Sequence, residues 1–352
     1  MKCYKKPQIT CSFEMTKEQI NKLLSDGEFP GTSQRPELIE THISWVLLTE
    51  HFVYKIKKPI QYSFLDFSTA DKRKYYCERE IELNKRLTED IYLDVQAVRE
   101  LKDCYFIGGE KGEIIDYAVR MRKLDRNKQM DIQLLNNQVT LTGIKDLAKK
   151  IAGFHQHTTI IYHKDYLDVQ KLFIDLEGER AYLREHLNTN SSIIINRAIE
   201  TSNRFIDSNK GLLANRLKEG FFRDCHGDLH SRNIFLLPSP QPFDCLEFND
   251  DYRQIDVLNE IAFLCMDLDA FGRPDLAEYF LNCYNDFFPC IRTEEERRLF
   301  VYYKSYRSNI RAKVNSLRAR TTQNDKERLL SLAEADKYLH LMDSYIKIVG
   351  SK

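Results

Sequence analysis

Apolar residues recur at helical spacing in residues 16–25, TKEQINKLLS, where Ile20, Leu23 and Leu24 share one face. The following GEFPGTSQRPE breaks that period with two Gly and two Pro. From Glu40 the pattern turns to strand. The runs HISWVLLT and FVYKIKK flank Glu50–His51, which predicts a hairpin. After Ser68 a helical pattern returns, with Tyr75, Tyr76, Ile81, Leu83 and Leu87 as its apolar positions. Two more strand-like runs, DCYFIGG and GEIIDYAVRM, are joined through GGEKG. Beyond them the chain reads as helical. DLAKKIAGFHQHT predicts one helix and residues 173–219 two or three more, with further helices to the C-terminus. One β passage, HGDLHSRNIFLLPSPQPFDCLEF, interrupts this part. The prediction is an α+β, bilobal chain. It has an N-terminal helix and loop extension over 1–39, a β-rich lobe over 40–121 and a mainly helical lobe over 122–352.

Composition narrows the class. The 352 residues are 42% hydrophobic and 30% charged, which excludes a disordered chain and leaves room for about two cores at ~150 residues each. Lys+Arg and Asp+Glu are both 53, so no basic excess favours a nucleic-acid partner. The most apolar run, Ile261 to Met266, stops at Asp267, and no membrane span is expected. MKCYKKPQITCSFEM lacks the apolar stretch of a secretory signal. Nine cysteines, an odd number with no C-x-x-C pair, fit neither a disulfide framework nor a zinc ribbon, and point to a cytoplasmic location.

The chemistry concentrates in His226-Gly-Asp-Leu-His-Ser-Arg-Asn233 and the strand after it. A Pro-rich turn, Pro238 to Pro242, leads into Phe243-Asp-Cys-Leu-Glu-Phe248. Counted outward from Pro240, Asn233 and Glu247 lie at equal distances. A hairpin centred there would bring an amide oxygen and a carboxylate together as a Mg²⁺ pair. Asp228 would face the same space and accept a hydroxyl proton. The plainer reading is that Asp228 and Asn233 cap a loop.

This block resembles the catalytic loop of the aminoglycoside phosphotransferase-like kinases, a branch of the protein-kinase-like fold that includes a little-studied group sometimes fused to a P-loop domain. HGDLHSRN matches H-G-D-x-x-x-x-N, and Glu247–Phe248 stands where the family has Asp and an aromatic. Ile255 to Ala262 resembles G-D-P-x-x-D-L-A through Asp256 and Glu260. FVYKIKK is similar to the strand with the ATP-binding lysine, CEREIELNKRL to the helix with its glutamate partner, and AVRMRKL to the hinge, with Arg120 and Met121. No G-x-x-x-x-G-K-[ST] occurs.

The resemblance implies an ATP- and Mg²⁺-dependent phosphotransferase acting on a hydroxyl of a small molecule. A catalytically silent nucleotide-binding or scaffold protein is the alternative. Asp228 would be the catalytic base, with His230 either near the transferring phosphoryl or packed in the loop. Asn233 and Glu247 would hold Mg²⁺. Lys55 is the favoured lysine over Lys57 and Lys58, and Glu80 the favoured partner over Glu78 and Glu82. Two departures stand out. Glu247 replaces the family's Asp, and no Gly-rich loop precedes the lysine strand. Thr41, His42 and Ser44 would either replace that loop or be the polar face of a strand. Only nine positions separate Glu247 from Asp256, too few to dock a peptide, so the acceptor is expected to be small. Finally, in 299–320, Tyr306, Ile310, Val314 and Leu317 form an apolar stripe beside Lys304, Arg307, Arg311 and Arg318. That basic stripe either binds an anionic acceptor through Arg307 and Arg311 or is a solvated face.

Overall fold

A computed structural model of the protein describes residues 15–31 and 34–351. The segment read for a secretory signal lies outside them, apart from Met15, as do Cys3 and Cys11. The chain divides into two compact units: residues up to Asp125 together with Phe243–Asn249, and Arg126–Pro242 together with Asp250–Lys352.

The first unit opens with α1 (Lys17–Asp26). Thr16 accepts from the Gln19 N–H, and the Gln19 side chain accepts from the Thr16 N–H, a reciprocal cap that fixes the start of the helix. The strands are β1 (Glu37–Glu40), β2 (Ser44–Leu48), β3 (Phe52–Lys57), β4 (Gln61–Tyr62) and β5 (Leu65–Asp66). After α2 (Ala70–Asn84) come β6 (Tyr92–Leu101), β7 (Cys104–Ile107) and β8 (Glu113–Arg122). Six of them form an antiparallel sheet in the order β1-β2-β3-β8-β6-β7, while β4 and β5 pair as a separate small hairpin. Within the six-stranded sheet, the sequence pattern misses two strands. β1 is mostly exposed and shows no apolar face, and β6 is half-buried along most of its length, so neither alternates clearly.

Alternation along β3 has a direct consequence for chemistry. Tyr54 and Ile56 enter one core with Trp45, Leu47, Ile20 and Leu23. Val53 joins the other core, with Cys77 and Ile81 of α2 and Val119 and Met121 of β8. Lys55 and Lys57 share the Val53 face and so point toward α2. Trp45 is a core residue, 5% exposed.

The second unit runs through α3 (Met130–Leu135), α4 (Leu141–His157), α5 (Asp168–Ile174), α6 (Arg180–His186) and α7 (Thr189–Lys218). Then come β9 (Phe222–Asp224), β10 (Ile234–Phe235), β11 (Gln241–Pro242), α8 (Asp250–Arg253) and β12 (Gln254–Asp256). It ends with α9 (Val257–Ala270), α10 (Pro274–Phe287), α11 (Glu294–Thr321) and α12 (Asp325–Gly350). Helix α9 is buried on nearly all sides, which explains why its sequence is a continuous apolar run rather than a stripe. Among the described residues, no helix is long and apolar enough to cross a membrane.

Two expectations need correction. The β10–β11 register pairs Ile234 with Pro242 and Phe235 with Gln241, so the hairpin is centred on Pro238 rather than Pro240. Register therefore does not set Asn233 opposite Glu247, which belongs to the first unit. The apolar stripe of α11 is also rotated. Val314 is 41% and Leu317 37% exposed, whereas Tyr302, Asn309, Ser316 and Ala319 are buried. Polar residues pack on this face, where Tyr302 stacks on Phe173 and Phe205, Asn309 donates to the Phe173 carbonyl and Ser316 donates to Glu179, so hydrophobicity alone misplaces it.

Candidate functional site

The first unit assembles a buried ion-pair cluster. Lys55 Nζ donates to Glu80 Oε1 at 2.9 Å and to Asp244 Oδ1 at 2.6 Å. Lys57 Nζ donates to the other Glu80 oxygen at 2.7 Å and also to Glu247. Glu80 is fully buried on α2. It is the partner expected among the three glutamates, and it serves both lysines at once. Lys58 lies outside the cluster, pairing with Glu40.

Charge balance governs this cluster. Burial would raise the Glu80 carboxyl, but the Lys55 and Lys57 ammonium groups take it down to about 2. Glu247 is pushed upward by burial and by the like charge of Glu80, against the pull of Lys57. Burial would lower both lysines, yet Asp244 and Glu80 hold Lys55 well above its ordinary value, and Glu247 and Glu80 hold Lys57 above its own. Three carboxylates face two ammonium groups, leaving one negative charge in surplus. A divalent cation with oxygen preference fits that donor set.

Asp244 is a member of this cluster that sequence reasoning missed. It sits at φ +61°, in the left-handed region that Asp tolerates better than most residues. Its N–H donates to the Tyr92 hydroxyl at 3.1 Å, and the next N–H, of Cys245, donates to Asn84 Oδ1 at 2.8 Å. These bonds tie the 243–249 segment to β6 and α2. The only signal in the sequence is an Asp three residues before Glu247.

Three other expected nucleotide residues have different surroundings. Ser44 is fully buried and its hydroxyl has no partner among the described residues, so it is not presented to a phosphate. Arg120 pairs with Asp94, its Nε 3.0 Å from Oδ1, and lies over the Phe52 ring. Met121 packs in the α2-side core.

The second unit carries the catalytic-loop motif. Gly227, at φ +88°, takes a conformation that a side chain would strain, and it turns the chain between His226 and Asp228. Asp228 N–H donates to His226 Nδ1 at 3.2 Å. Asn233 Nδ2 donates to both the carbonyl and the carboxylate of Asp228, each at 3.0 Å. With Nδ2 spent inside the loop, the carboxamide oxygen is the Asn233 atom left for a metal. His230 Nε2 is 3.5 Å from Asp228 Oδ2. Its Nδ1 accepts from the Arg232 N–H at 3.3 Å, which assigns the neutral tautomer's proton to Nε2, facing Asp228. The Asp228 side chain is 41% exposed. Its site inside the loop would raise the carboxyl, but His230, His226 and Arg311 hold it below the usual carboxylate range.

The loop is held from behind. Glu260 accepts from the N–H groups of His226 at 2.6 Å and Gly227 at 3.1 Å. Asp267 accepts from the Ser231 N–H at 2.9 Å and hydroxyl at 2.5 Å. Arg216, fully buried, clamps Asp256 through Nε at 2.6 Å and Nη2 at 2.8 Å. Glu260 thus ties the loop to α9, while Asp256 caps the start of α9 through the Leu258 N–H and holds Arg216 of α7.

The basic stripe of α11 divides. Arg307 is buried and donates to Asn259 Oδ1 at 2.7 Å and Gly227 O at 3.1 Å, which corrects its expected role at an acceptor. Lys304 pairs with Asp269 and Arg318 with Glu327. Arg311 pairs with none of the described carboxylates. His155 lies beside Cys225 and Glu260. Its Nδ1 bonds the Tyr284 hydroxyl at 2.7 Å and both Glu260 oxygens are spent on backbone N–H groups, so this is a hydrogen-bonded core cluster.

No protein-family model matches the chain. Uncharacterized proteins of Mycobacterium tuberculosis and Mycobacterium bovis are each 34% identical over 295 residues, covering 79% of this chain and 54% of theirs. The chain therefore spans about half the length of the curated relatives it matches. Choline kinase from Cryptosporidium parvum superposes with a TM-score of 0.53 at 11% identity, over 94% of this chain and 98% of that one. The AMP-bound spectinomycin phosphotransferase superposes at 0.50 with 14% identity, over 95% and 98%. The chain shares the protein-kinase-like fold of these two proteins.

Proposed function

We propose that the protein transfers the γ-phosphoryl group of ATP to a hydroxyl of a small-molecule acceptor. The observation that carries this is the buried pairing of Lys55 with Glu80 on one unit and the hydrogen-bonded Asp228–Asn233 loop on the other. Lys55 is the less buried of the two clustered lysines, with 11% of its side chain exposed against none for Lys57. It is assigned to the nucleotide phosphates and Glu80 to fixing its ammonium. Mg²⁺, when bound, neutralises phosphate charge. Glu247 and the Asn233 oxygen are its assigned ligands, with Asp244 beside Glu247 in sequence and cluster.

In the proposed reaction, Asp228 orients the acceptor hydroxyl and takes its proton. The hydroxyl oxygen bonds to the γ-phosphorus, the bond from that phosphorus to the β–γ bridging oxygen breaks, and ADP leaves with that electron pair. A carboxyl held low in pKa is ionised at neutral pH and ready for this task, and His230 Nε2–H fixes one of its oxygens. The short stretch between Glu247 and Asp256, filled by α8, favours a small acceptor over a peptide.

A screen of hydroxyl compounds for acceptor-dependent ADP release tests this reading. Asp228→Asn should leave ATP affinity nearly unchanged and lower kcat by ~10²–10⁴. Wild-type turnover in that variant would remove Asp228 from the reaction. ATP binding with no turnover on any acceptor would favour a silent nucleotide-binding protein.

A further inference from the structure

In the second unit the Arg311 guanidinium keeps a buried Nε–H that no acceptor among the described residues satisfies. Arg307 anchors α11 to the catalytic loop through Gly227, and Arg311 lies one turn further along the same helix face. Arg311 stands over the Tyr338 ring, 5.4 Å from its centroid. The Tyr338 hydroxyl reaches Asp267 at 3.4 Å, and Asp267 in turn holds Ser231 of the loop. Arg311 is thus bracketed by two contacts to the loop that carries Asp228. Its Nε is buried without a hydrogen-bond partner, and among the described residues no carboxylate lies within ion-pair reach of its guanidinium. Asp267 already accepts from Ser231 and Tyr338. The Asp228 carboxylate, which senses the Arg311 charge, bonds instead to Asn233.

A partly buried guanidinium with an unused Nε–H costs stability unless a ligand supplies the missing acceptor. Resting on the phosphotransferase reading above, we propose that Arg311 recognises a carboxylate on the acceptor, so that the substrate is a hydroxy acid whose hydroxyl lies toward Asp228. The planar fork of a guanidinium matches a carboxylate with two parallel hydrogen bonds. One cation balances one negative charge. The neighbouring Lys304, Arg307 and Arg318 are consumed within the fold, which disfavours the double charge of a phosphate ester. A cationic acceptor would meet Arg311 as a like charge.

The test uses the full chain with ATP and Mg²⁺ and compares matched acceptors: gluconate against glucose, glycerate against glycerol, and choline as a cationic control. Both Tm shift and ADP release are read. A hydroxy acid should add to the ATP-induced Tm shift and be turned over at least ~10-fold more efficiently than its neutral partner, the scale of one charged hydrogen bond. Arg311→Met should raise KM for that acid by ~10–100-fold, with KM for ATP unchanged, and Arg311→Lys should recover part of the loss. Preference for neutral or cationic acceptors in wild type would overturn the assignment. So would an Arg311→Met variant that loses kcat equally on all acceptors with KM unchanged, since that pattern belongs to a structural role. If ATP and Mg²⁺ raise Tm and a neutral or cationic acceptor is turned over but no hydroxy acid is, the assignment fails and the phosphotransferase reading stands. Failure of ATP itself to bind would instead remove that reading and this one together.

Discussion

Two lysines two residues apart on one strand face are assigned different tasks because their burial differs. Lys57 is fully enclosed between Glu80 and Glu247, beneath the Phe67 ring at 5.0 Å. Lys55 opens toward Asp244, whose side chain is 42% exposed. Removing one member of a fully buried pair leaves its partner's charge stranded, at a cost of ~3–5 kcal/mol. Lys57→Met should therefore lower the unfolding free energy by about that amount in urea titrations. Lys55→Met should cost less stability but raise KM for ATP more. The opposite ranking in both measurements would exchange the two roles.

At the scale of elements, the Asp228 loop has no regular structure beyond a short 3₁₀ turn and depends on α9 for its shape. Glu260 is the main fastening, and it is fully buried. Burial lifts its carboxyl from near 4.5 to about 7, although Arg307 and the two loop N–H groups pull it down. Between those pH values the folded chain keeps a proton that the unfolded chain has lost, so stability falls as pH rises through that window. At ~1.4 kcal/mol per pKa unit, the effect is about 3 kcal/mol. Chemical denaturation from pH 4.5 to 7 should show this slope in wild type and a flatter one in Glu260→Gln. An identical slope in the variant would mean that Glu260 does not titrate there. The element-level pattern of helices was largely legible in the sequence, because most carry an apolar stripe or a capping residue. β1 and β6 were not, since a strand with an exposed or evenly half-buried surface leaves no alternation to read.

At the scale of the whole molecule, the proposed nucleotide site supplies a binding energy that only the folded chain can capture. ATP should raise Tm, and Mg²⁺ should enlarge that rise, because a ligand bound to the native state alone stabilises it by mass action. Glu247→Gln keeps the size of the side chain but removes the surplus negative charge of the cluster. It should erase the Mg²⁺-dependent part of the shift while ATP alone still stabilises. An undiminished Mg²⁺ effect in Glu247→Gln would take that residue out of the metal site.

What the sequence by itself determined is local. The order His226, Asp228, Asn233, the Lys and Glu upstream and the acidic pair Asp256 and Glu260 are readable because backbone turns and strand alternation impose fixed spacings. The tertiary structure decided the partners. Only packing of α2 on the sheet makes Glu80 serve both Lys55 and Lys57, and only the path of 243–249 delivers Asp244 to Lys55. The hairpin register moved to Pro238 because pairing geometry, not counting from a proline, sets it. On α11 the sequence offered four equivalent cations. Contacts with Asn259, Gly227, Asp269 and Glu327 satisfied three and left Arg311, since whether a charge is spent depends on neighbours far away in the chain.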